Sequence, residues 1–281
     1  MKYFLVPTDF SDASMEAFHY AKQLATVWGA QIRLVYIWHP SYNAAIAHGN
    51  VGTIIPPANP EKRWRDSLNH FADRVGHPRD QTELIPGFAA DKLVELSEGE
   101  QCDLIIMGTS GDHDFLDRVF GSISSQVSQE AHCPVLLVPE GYALKDGFRN
   151  ILYGTTFYAS NEDALDEVLD FAQHFKANIH FVHVQTDEED TAADNLEDML
   201  YQQLYDMHHA HVDVQTNTVR NDDVMAGLYD YATANQIDLL VLVARERTWW
   251  EDLITFDNTE RMLFNPKFPM LVLHLNARQI K

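Results

Sequence analysis

The stretch DLIIMGTSGDHDFLDRVFGSISS, residues 103–125, joins an apolar run to a serine-rich segment through three glycines. Gly108 ends the apolar run, which has the character of a buried strand, and Gly121 precedes a segment with the character of a helix. Gly111, between them, allows a backbone to approach a ligand closely. Such a loop can hold a phosphate on the free amides of the following helix. The same glycines can also form a plain turn, and their spacing alone leaves both interpretations open.

Strand-like and helix-like segments alternate on both sides of this stretch. In residues 1–140 the predicted strands are YFLVP, IRLVYIW, TELIP, DLIIM and PVLLVP, with amphipathic segments between them. Ser11 or Asp12 is expected to cap the first helix, and Gly29 is expected to end it. Because parallel strands need crossover connections of about a dozen residues or more, this order predicts an α/β fold with a doubly wound parallel sheet.

The sequence contains two copies of this unit. KYFLVPTDF at residues 2–10 returns as RNILYGTTF at 149–157, and CDLIIM and CPVLLVP return as IDLLVL and FPMLVLH. The segment 140–148 carries two glycines, separates the copies and is the expected linker. We therefore expect one five-stranded domain at residues 1–140 and a second at 148–281.

Composition limits the functions that the protein can perform. The 281 residues carry a formal charge of -22 at pH 7, and so negative a chain is unsuited to nucleic-acid phosphates or anionic lipids. No apolar run approaches the roughly 18 residues of a membrane span, and the chain starts with a predicted strand rather than a signal peptide. We expect a cytoplasmic protein without nucleic-acid or membrane partners. Cys102 and Cys133 are expected to be small buried hydrophobic residues.

Three motifs of the first copy resemble the universal stress protein family. They are VPTDFSDAS at residues 6–14, the pattern G-x2-G-x9-G-S that runs from Gly108 to Ser122, and CPVLLVP shortly after it. The resemblance covers the whole chain as a tandem pair and is stronger in the first copy. It implies Rossmann-like sheets with strand order 3-2-1-4-5 that dimerise through their last strands. In a tandem chain this contact would form an intramolecular pseudo-dimer. The resemblance also leaves open a homodimer of the whole chain.

The resemblance also implies a nucleotide site in the first copy. In ATP-binding members of the family, the acidic residue after the first strand contacts the nucleoside, the second strand's end touches adenine, and the glycine motif surrounds ribose and phosphates. Transferred to this sequence, the nucleotide-binding residues are Thr8, Asp9, Ile37, Met107, Gly108, Gly111, Gly121, Ser122 and Ile123. The expected function is that of an ATP-binding stress or signalling regulator, with neither catalytic residues nor protein metal ligands.

The loop between Gly111 and Gly121 departs from the family pattern because it is acidic. It holds Asp112, Asp114 and Asp117, and like charges near a phosphate disfavour binding by about 1 kcal/mol or more. A Mg²⁺ or Mn²⁺ ion that bridges aspartate and phosphate oxygens would reverse this effect. We favour the simpler interpretation, a solvated acidic loop.

The second copy lacks the residues of the predicted nucleotide site. At the positions of the glycine motif and of Asp9 it has Val243, Glu246, Phe256, Asp257 and Thr156. Bulk and negative charge at these positions oppose phosphate binding, so we expect nucleotide in the first domain alone. Trp249 and Trp250 are expected to fill the vacated space or to form a contact surface.

Two other classes of function remain open. A slow ATPase, or a related nucleotide hydrolase or transferase, would need catalytic groups, but the sequence has no SGGxDS loop, no HxGH pair and no Walker lysine. A nucleotide-free interaction scaffold would use exposed aromatic and acidic surfaces. His208, His209 and His211 could bind a metal, yet neighbouring histidines without cysteine are more typical of a solvated patch.

Overall fold

The computed structural model describes residues 2–39, 59–99, 102–109, 122–142, 147–154, 162–186, 212–244 and 268–274. Within these ranges ten β-strands and six α-helices follow one another, with one short 3-10 helix at Arg79–Gln81. The alternation that the sequence predicts is confirmed.

The first half contains five strands and four helices among its described residues. In chain order these are β1 (Tyr3–Pro7), α1 (Asp12–Trp28), β2 (Gln31–Trp38), α2 (Pro60–Val75), β3 (Thr82–Pro86), α3 (Ala89–Ser97), β4 (Leu104–Thr109), α4 (Ser122–Glu130) and β5 (Val135–Pro139). All five predicted strands are present. β4 continues through Gly108 to Thr109, so the glycine that we placed at the strand end lies inside the strand.

The second half repeats the pattern of the first. Its described elements are β6 (Asn150–Gly154), α5 (Glu162–Phe175), β7 (Asn178–Gln185), β8 (Val214–Arg220), α6 (Val224–Ala234), β9 (Leu239–Ala244) and β10 (Met270–His274). The histidines at 208, 209 and 211 lie outside the described residues.

Helix α1 begins and ends where its sequence predicts. The Ser11 side chain accepts a hydrogen bond from the backbone amide of Ser14 at 3.2 Å and caps the first turn. Gly29 ends the helix in the left-handed conformation, with φ of 64°, and its amide donates to the carbonyl of Ala25. These caps fix the position at which the β1–α1 loop turns into the helix.

All ten strands form one sheet, in the order β3-β2-β1-β4-β5-β10-β9-β6-β7-β8. Each half therefore has the strand order 3-2-1-4-5, and the pairs within a half are parallel. The halves meet at β5 and β10, which pair antiparallel with Leu137 opposite Met270 and Val135 opposite Val272. This pairing satisfies backbone groups that would otherwise lie on two apolar sheet edges.

One aspartate contact is repeated in both halves. The carboxylate of Asp103, just before β4, accepts a hydrogen bond from the backbone amide of Tyr3 at 2.6 Å. Asp238, just before β9, accepts in the same way from the amides of Arg149 and Asn150 at 2.8 and 3.0 Å. The two copies thus share local structure as well as strand order.

An aromatic cluster joins the halves outside the sheet. The Trp28 ring of α1 lies with its centroid 4.9 Å from that of Phe171 on α5, and Phe148 lies 5.3 Å from Phe171. The amide of Gly141 donates to the Glu16 carboxylate at 2.6 Å, which ties the start of the linker to α1. Helix packing therefore adds to the contact between β5 and β10.

The predicted burial of the two cysteines is confirmed, since Cys102 and Cys133 are both buried free thiols. None of the helices that the structure describes is long and apolar enough to cross a membrane.

Candidate functional site

A cleft of about 310 Å³ lies at the carboxyl ends of β1, β2 and β4. Ligands bind at this edge of doubly wound sheets because loops and helix N-termini converge there. The cleft is lined by Pro7, Thr8, Asp9, Ser11, Ala13, Ser14, Tyr36, Ile37, Ala89, Leu93, Met107, Gly108, Ile123 and Ser124. Its volume lies at the lower end of the roughly 300–1,000 Å³ typical of small-molecule sites.

Most of the predicted nucleotide-binding residues that the structure describes lie together at this cleft. Those that line the cleft are Thr8, Asp9, Ile37, Met107, Gly108 and Ile123. Ser122 begins α4, but its side chain is outside the described part of the structure. Gly111 and Gly121 lie outside the described residues, as do the three aspartates between them.

The β1–α1 loop is held by short-range hydrogen bonds that aim Asp9 at the cleft. The buried hydroxyl of Thr8 lies 2.9 Å from that of Ser14 and accepts from the amide of Phe10, also at 2.9 Å. One carboxylate oxygen of Asp9 accepts from the amide and the hydroxyl of Ser11. The other oxygen has no hydrogen-bond partner among the described residues, and Asp9 is exposed, so this oxygen is available to a ligand.

Phe10 adopts a backbone conformation that is uncommon for a residue with a side chain. Its φ is 70°, in the left-handed region, which costs a non-glycine residue about 1–3 kcal/mol. The ring leaves the cleft and packs in an aromatic group, with centroids 4.4 Å from Tyr36 and 6.0 Å from Phe71. The loop can therefore present Asp9 to the cleft while the next side chain joins the core.

Gly108 is required by the packing of β4 against α1. A Cβ atom at this position would lie 2.4 Å from the carbonyl oxygen of Ala13 and 3.0 Å from the amide nitrogen of Ser14. Both neighbours are backbone atoms in the first turn of α1, so neither can rotate away. The close approach brings the start of α1 against β4 and shapes one wall of the cleft.

The rest of the cleft wall is mostly apolar. Met107 and Leu93 are buried, Ile37 is partly buried, and Ile123 at the start of α4 is 41% exposed. Of the described residues that line the cleft, Asp9 is the only charged one. An apolar wall with one carboxylate suits a ligand that has an apolar part and a hydrogen-bond donor.

Sequence reasoning missed several lining residues. Ser11, Ser14, Tyr36 and Ser124 all contribute to the wall. Ser11 and Ser14 could have been found, because the predicted N-cap of α1 lies only two or three residues after Asp9. Tyr36 was harder to predict, because both faces of β2 carry apolar residues and the sequence does not show which of them faces the cleft.

A larger open groove of about 840 Å³ lies along α2 and shares Phe10 with the β1–α1 loop. Its polar lining includes Lys62, Arg63, His70 and Arg74. None of the predicted nucleotide-binding residues lines this groove. We take the smaller cleft as the candidate site because it lies at the carboxyl ends of the strands.

At the position that corresponds to Gly108, the second half has a residue with a side chain. Val243 on β9 occupies this position and packs against the core. At the end of β6, a Cβ on Gly154 would meet the side chains of Leu242 and Leu228, at 3.0 and 3.1 Å. Residues 156, 246, 249, 250, 256 and 257, on which the prediction of a degenerate second copy also rests, lie outside the described residues.

The acidic loop with Asp112, Asp114 and Asp117 lies outside the described residues. Within the described ranges, no group of three or more His, Cys, Asp or Glu side chains is arranged to hold a metal ion.

Comparison with known proteins finds a family model that matches both halves. The model of the universal stress protein family matches residues 1–139 and again residues 147–274. A universal stress protein of Methanocaldococcus jannaschii is 30% identical over 139 residues, which are 49% of this chain and 81% of the relative. A universal stress protein A homolog of Coxiella burnetii is 28% identical over 141 residues, 49% of this chain and 95% of the relative.

Solved structures share the fold over nearly the full length. The crystal structure of a universal stress protein from Archaeoglobus fulgidus superposes with a TM-score of 0.69 at 16% identity, covering 97% of this chain and 98% of that one. A functionally unknown protein of Pseudomonas aeruginosa gives a TM-score of 0.58 at 14% identity, covering 98% and 93%. Both comparisons concern the fold of the two halves together.

Proposed function

Because the chain belongs to the universal stress protein family as a tandem two-domain member, we propose that it is a nucleotide-responsive regulator whose first half binds ATP. The observation that carries the proposal is the convergence of Thr8, Asp9, Ile37 and Met107 on one cleft. These residues come from β2 and from the carboxyl ends of β1 and β4, and the resemblance to the family implies this role for all four.

The chemistry of the cleft suits a nucleoside. The free oxygen of Asp9 accepts a hydrogen bond from a ribose hydroxyl, and Ser11 holds the carboxylate in place through its first oxygen. Ile37 and Met107 supply apolar surface for the base. The phosphates then lie towards the N-terminus of α4, where amides without an intrahelical partner favour an anion.

The second half acts in this proposal as a partner rather than as a second nucleotide site. The second half has Val243 where the first half has Gly108, the glycine whose close contact with the first turn of α1 shapes one wall of the cleft. The antiparallel pairing of β5 with β10 serves as an intramolecular counterpart of dimerisation through the last strands. Residues 1–140 and 148–281 are the two domains of this pseudo-dimer.

A thermal-shift experiment with matched variants tests the proposal. A ligand that binds only the folded protein stabilises it by about 2.7 kcal/mol at a hundredfold excess over Kd. At roughly 2–4 °C per kcal/mol, millimolar Mg-ATP should raise the Tm by several degrees. Asp9→Asn should reduce this rise because it weakens the acceptor for the ribose hydroxyl.

Asp12→Asn is the matched control, because Asp12 is an exposed carboxylate three residues further on that does not line the cleft. It should keep the full rise with ATP. Equal rises in both variants would contradict the role of Asp9. No rise in the unmodified protein would contradict nucleotide binding and favour an interaction scaffold.

A further inference from the structure

The only two cysteines of the chain lie side by side in the folded protein. Cys102 and Cys133 are 31 positions apart in the sequence, yet their Sγ atoms are 3.2 Å apart. Their exposed fractions are 2% and 0%. Burial of a small hydrophobic side chain accounts for each cysteine alone, but it does not account for the contact between the two sulfurs.

Strand pairing places the two thiols together. Cys102 lies two residues before β4 and Cys133 two residues before β5, and these strands pair parallel with Ile105 opposite Val135. The amide of Ile105 also donates to the carbonyl of Pro134 at 3.0 Å, which fixes the backbone beside the thiols. The pair therefore sits at the amino ends of the strands, at the edge of the sheet opposite the candidate cleft.

We propose that Cys102 and Cys133 form a dithiol pair that hydrogen peroxide converts to an intramolecular disulfide. One thiolate attacks a peroxide oxygen and gives a sulfenic acid and hydroxide. The second thiolate then attacks the sulfenic sulfur, the S–S bond forms, and hydroxide leaves. The two thiol protons end on the two hydroxides, so two thiols and one peroxide yield one disulfide and two waters.

The geometry needs little change for this reaction. The sulfurs must approach by about 1.2 Å to reach the 2.03–2.05 Å of a disulfide. His132, next to Cys133 in the sequence, is exposed, and its ring lies 3.5 Å from the carboxylate of Glu98. Because both thiols are buried, the proposal requires that peroxide reach them through local opening of the protein at this end of the sheet.

The environment makes the reaction slow at neutral pH. The hydrogen bond with Cys102, followed by burial, holds the pKa of the Cys133 thiol well above its usual value. Only the thiolate is nucleophilic, so oxidation should accelerate as the pH rises.

The disulfide would close a loop that contains part of the wall of the candidate cleft. Residues 102–133 include β4 with Met107 and Gly108, and α4 with Ile123. A covalent link at the base of this loop reduces the conformational freedom of the unfolded chain. For a loop of this length we expect the oxidised protein to melt about 5 °C or more above the reduced protein.

The test is mass spectrometry of the folded protein after peroxide treatment and denaturation in a maleimide. The expected product has lost two hydrogen masses, takes up no maleimide, and recovers both thiols after reduction. Proteolytic mapping should place the link between Cys102 and Cys133. Its formation should be faster at pH 8.5 than at pH 7.

Cys133→Ala is the matched control, because it keeps Cys102 in the same strand end and removes its partner. This variant should keep one thiol that reacts with maleimide and show no loss of two hydrogens. If the variant does not fold, the thiol count of the unmodified protein still decides. Two free thiols after prolonged peroxide, sulfinic or sulfonic acids alone, or disulfide-linked dimers would each overturn the proposal.

Discussion

Gly108→Ala should destabilise the protein strongly, although alanine is the smallest possible addition. The new Cβ would lie 2.4 Å from the carbonyl oxygen of Ala13 and 2.6 Å from its carbonyl carbon. Ordinary contact begins about 1 Å further out, so α1 and β4 must separate by about that amount. Both elements are packed in the core along most of their length, and neither can move alone.

The expected magnitude follows from the cost of overpacking. Forcing an extra carbon into a packed site costs about 1–3 kcal/mol, and contact with backbone rather than with a side chain places Gly108 at the upper end of that range. About 3 kcal/mol corresponds to a fall in Tm of roughly 6–12 °C. Thermal and urea unfolding followed by circular dichroism would measure both quantities.

Gly154→Ala is the matched control. Gly154 lies at the end of β6, in the second half, and a Cβ there would meet the side chains of Leu242 and Leu228 at 3.0 and 3.1 Å. These side chains can adjust, so the cost should stay below about 1 kcal/mol. Equal losses of stability in the two variants would refute the argument that backbone contact makes Gly108 a packing glycine.

Three further substitutions test other parts of the structure. The Tyr20 hydroxyl is buried without a hydrogen-bond partner among the described residues. Tyr20→Phe should therefore leave the free energy of unfolding in urea unchanged or raise it by about 1 kcal/mol. A loss above about 1 kcal/mol would contradict this. Burial lowers the pKa of His274, so below pH 6.5 the unfolded chain binds the proton first and stability falls as the pH falls. His274→Gln should therefore lose less stability than the unmodified protein between pH 7.5 and 5.5, and equal losses would show that His274 does not titrate as inferred. Ser11→Ala should cost about 0.5–2 kcal/mol through loss of the cap on Ser14, and an unchanged urea midpoint would count against that cap.

The elements of the fold could be predicted from the sequence because local signals agree. Apolar runs separated by amphipathic segments predicted the strands, and Ser11 and Gly29 marked the ends of α1. The strand order could not be obtained from these signals alone. It came from the resemblance to the family, because each half of the sheet is built from contacts between residues far apart in the chain.

The fine structure of the cleft could not be predicted, for physical reasons that differ between residues. Phe10 lies in a loop where its left-handed conformation depends on the aromatic group into which its ring packs. The requirement for glycine at position 108 depends on how closely α1 approaches β4, which no spacing in the sequence reports. At the opposite edge of the sheet, the contact of Cys102 with Cys133 depends on the register of β4 with β5, which the sequence pattern does not report either.

The most direct test of the central claim is the amount of nucleotide that the protein carries. The protein would be equilibrated with Mg-ATP, separated from free ligand and denatured, and the released molecules would be identified by mass and quantified against the chain. We predict an adenine nucleotide at one mole per mole of chain, with the amount reduced in Asp9→Asn and unchanged in Asp12→Asn. Two moles per chain would contradict a nucleotide-free second half, and the absence of any nucleotide would contradict the proposed function.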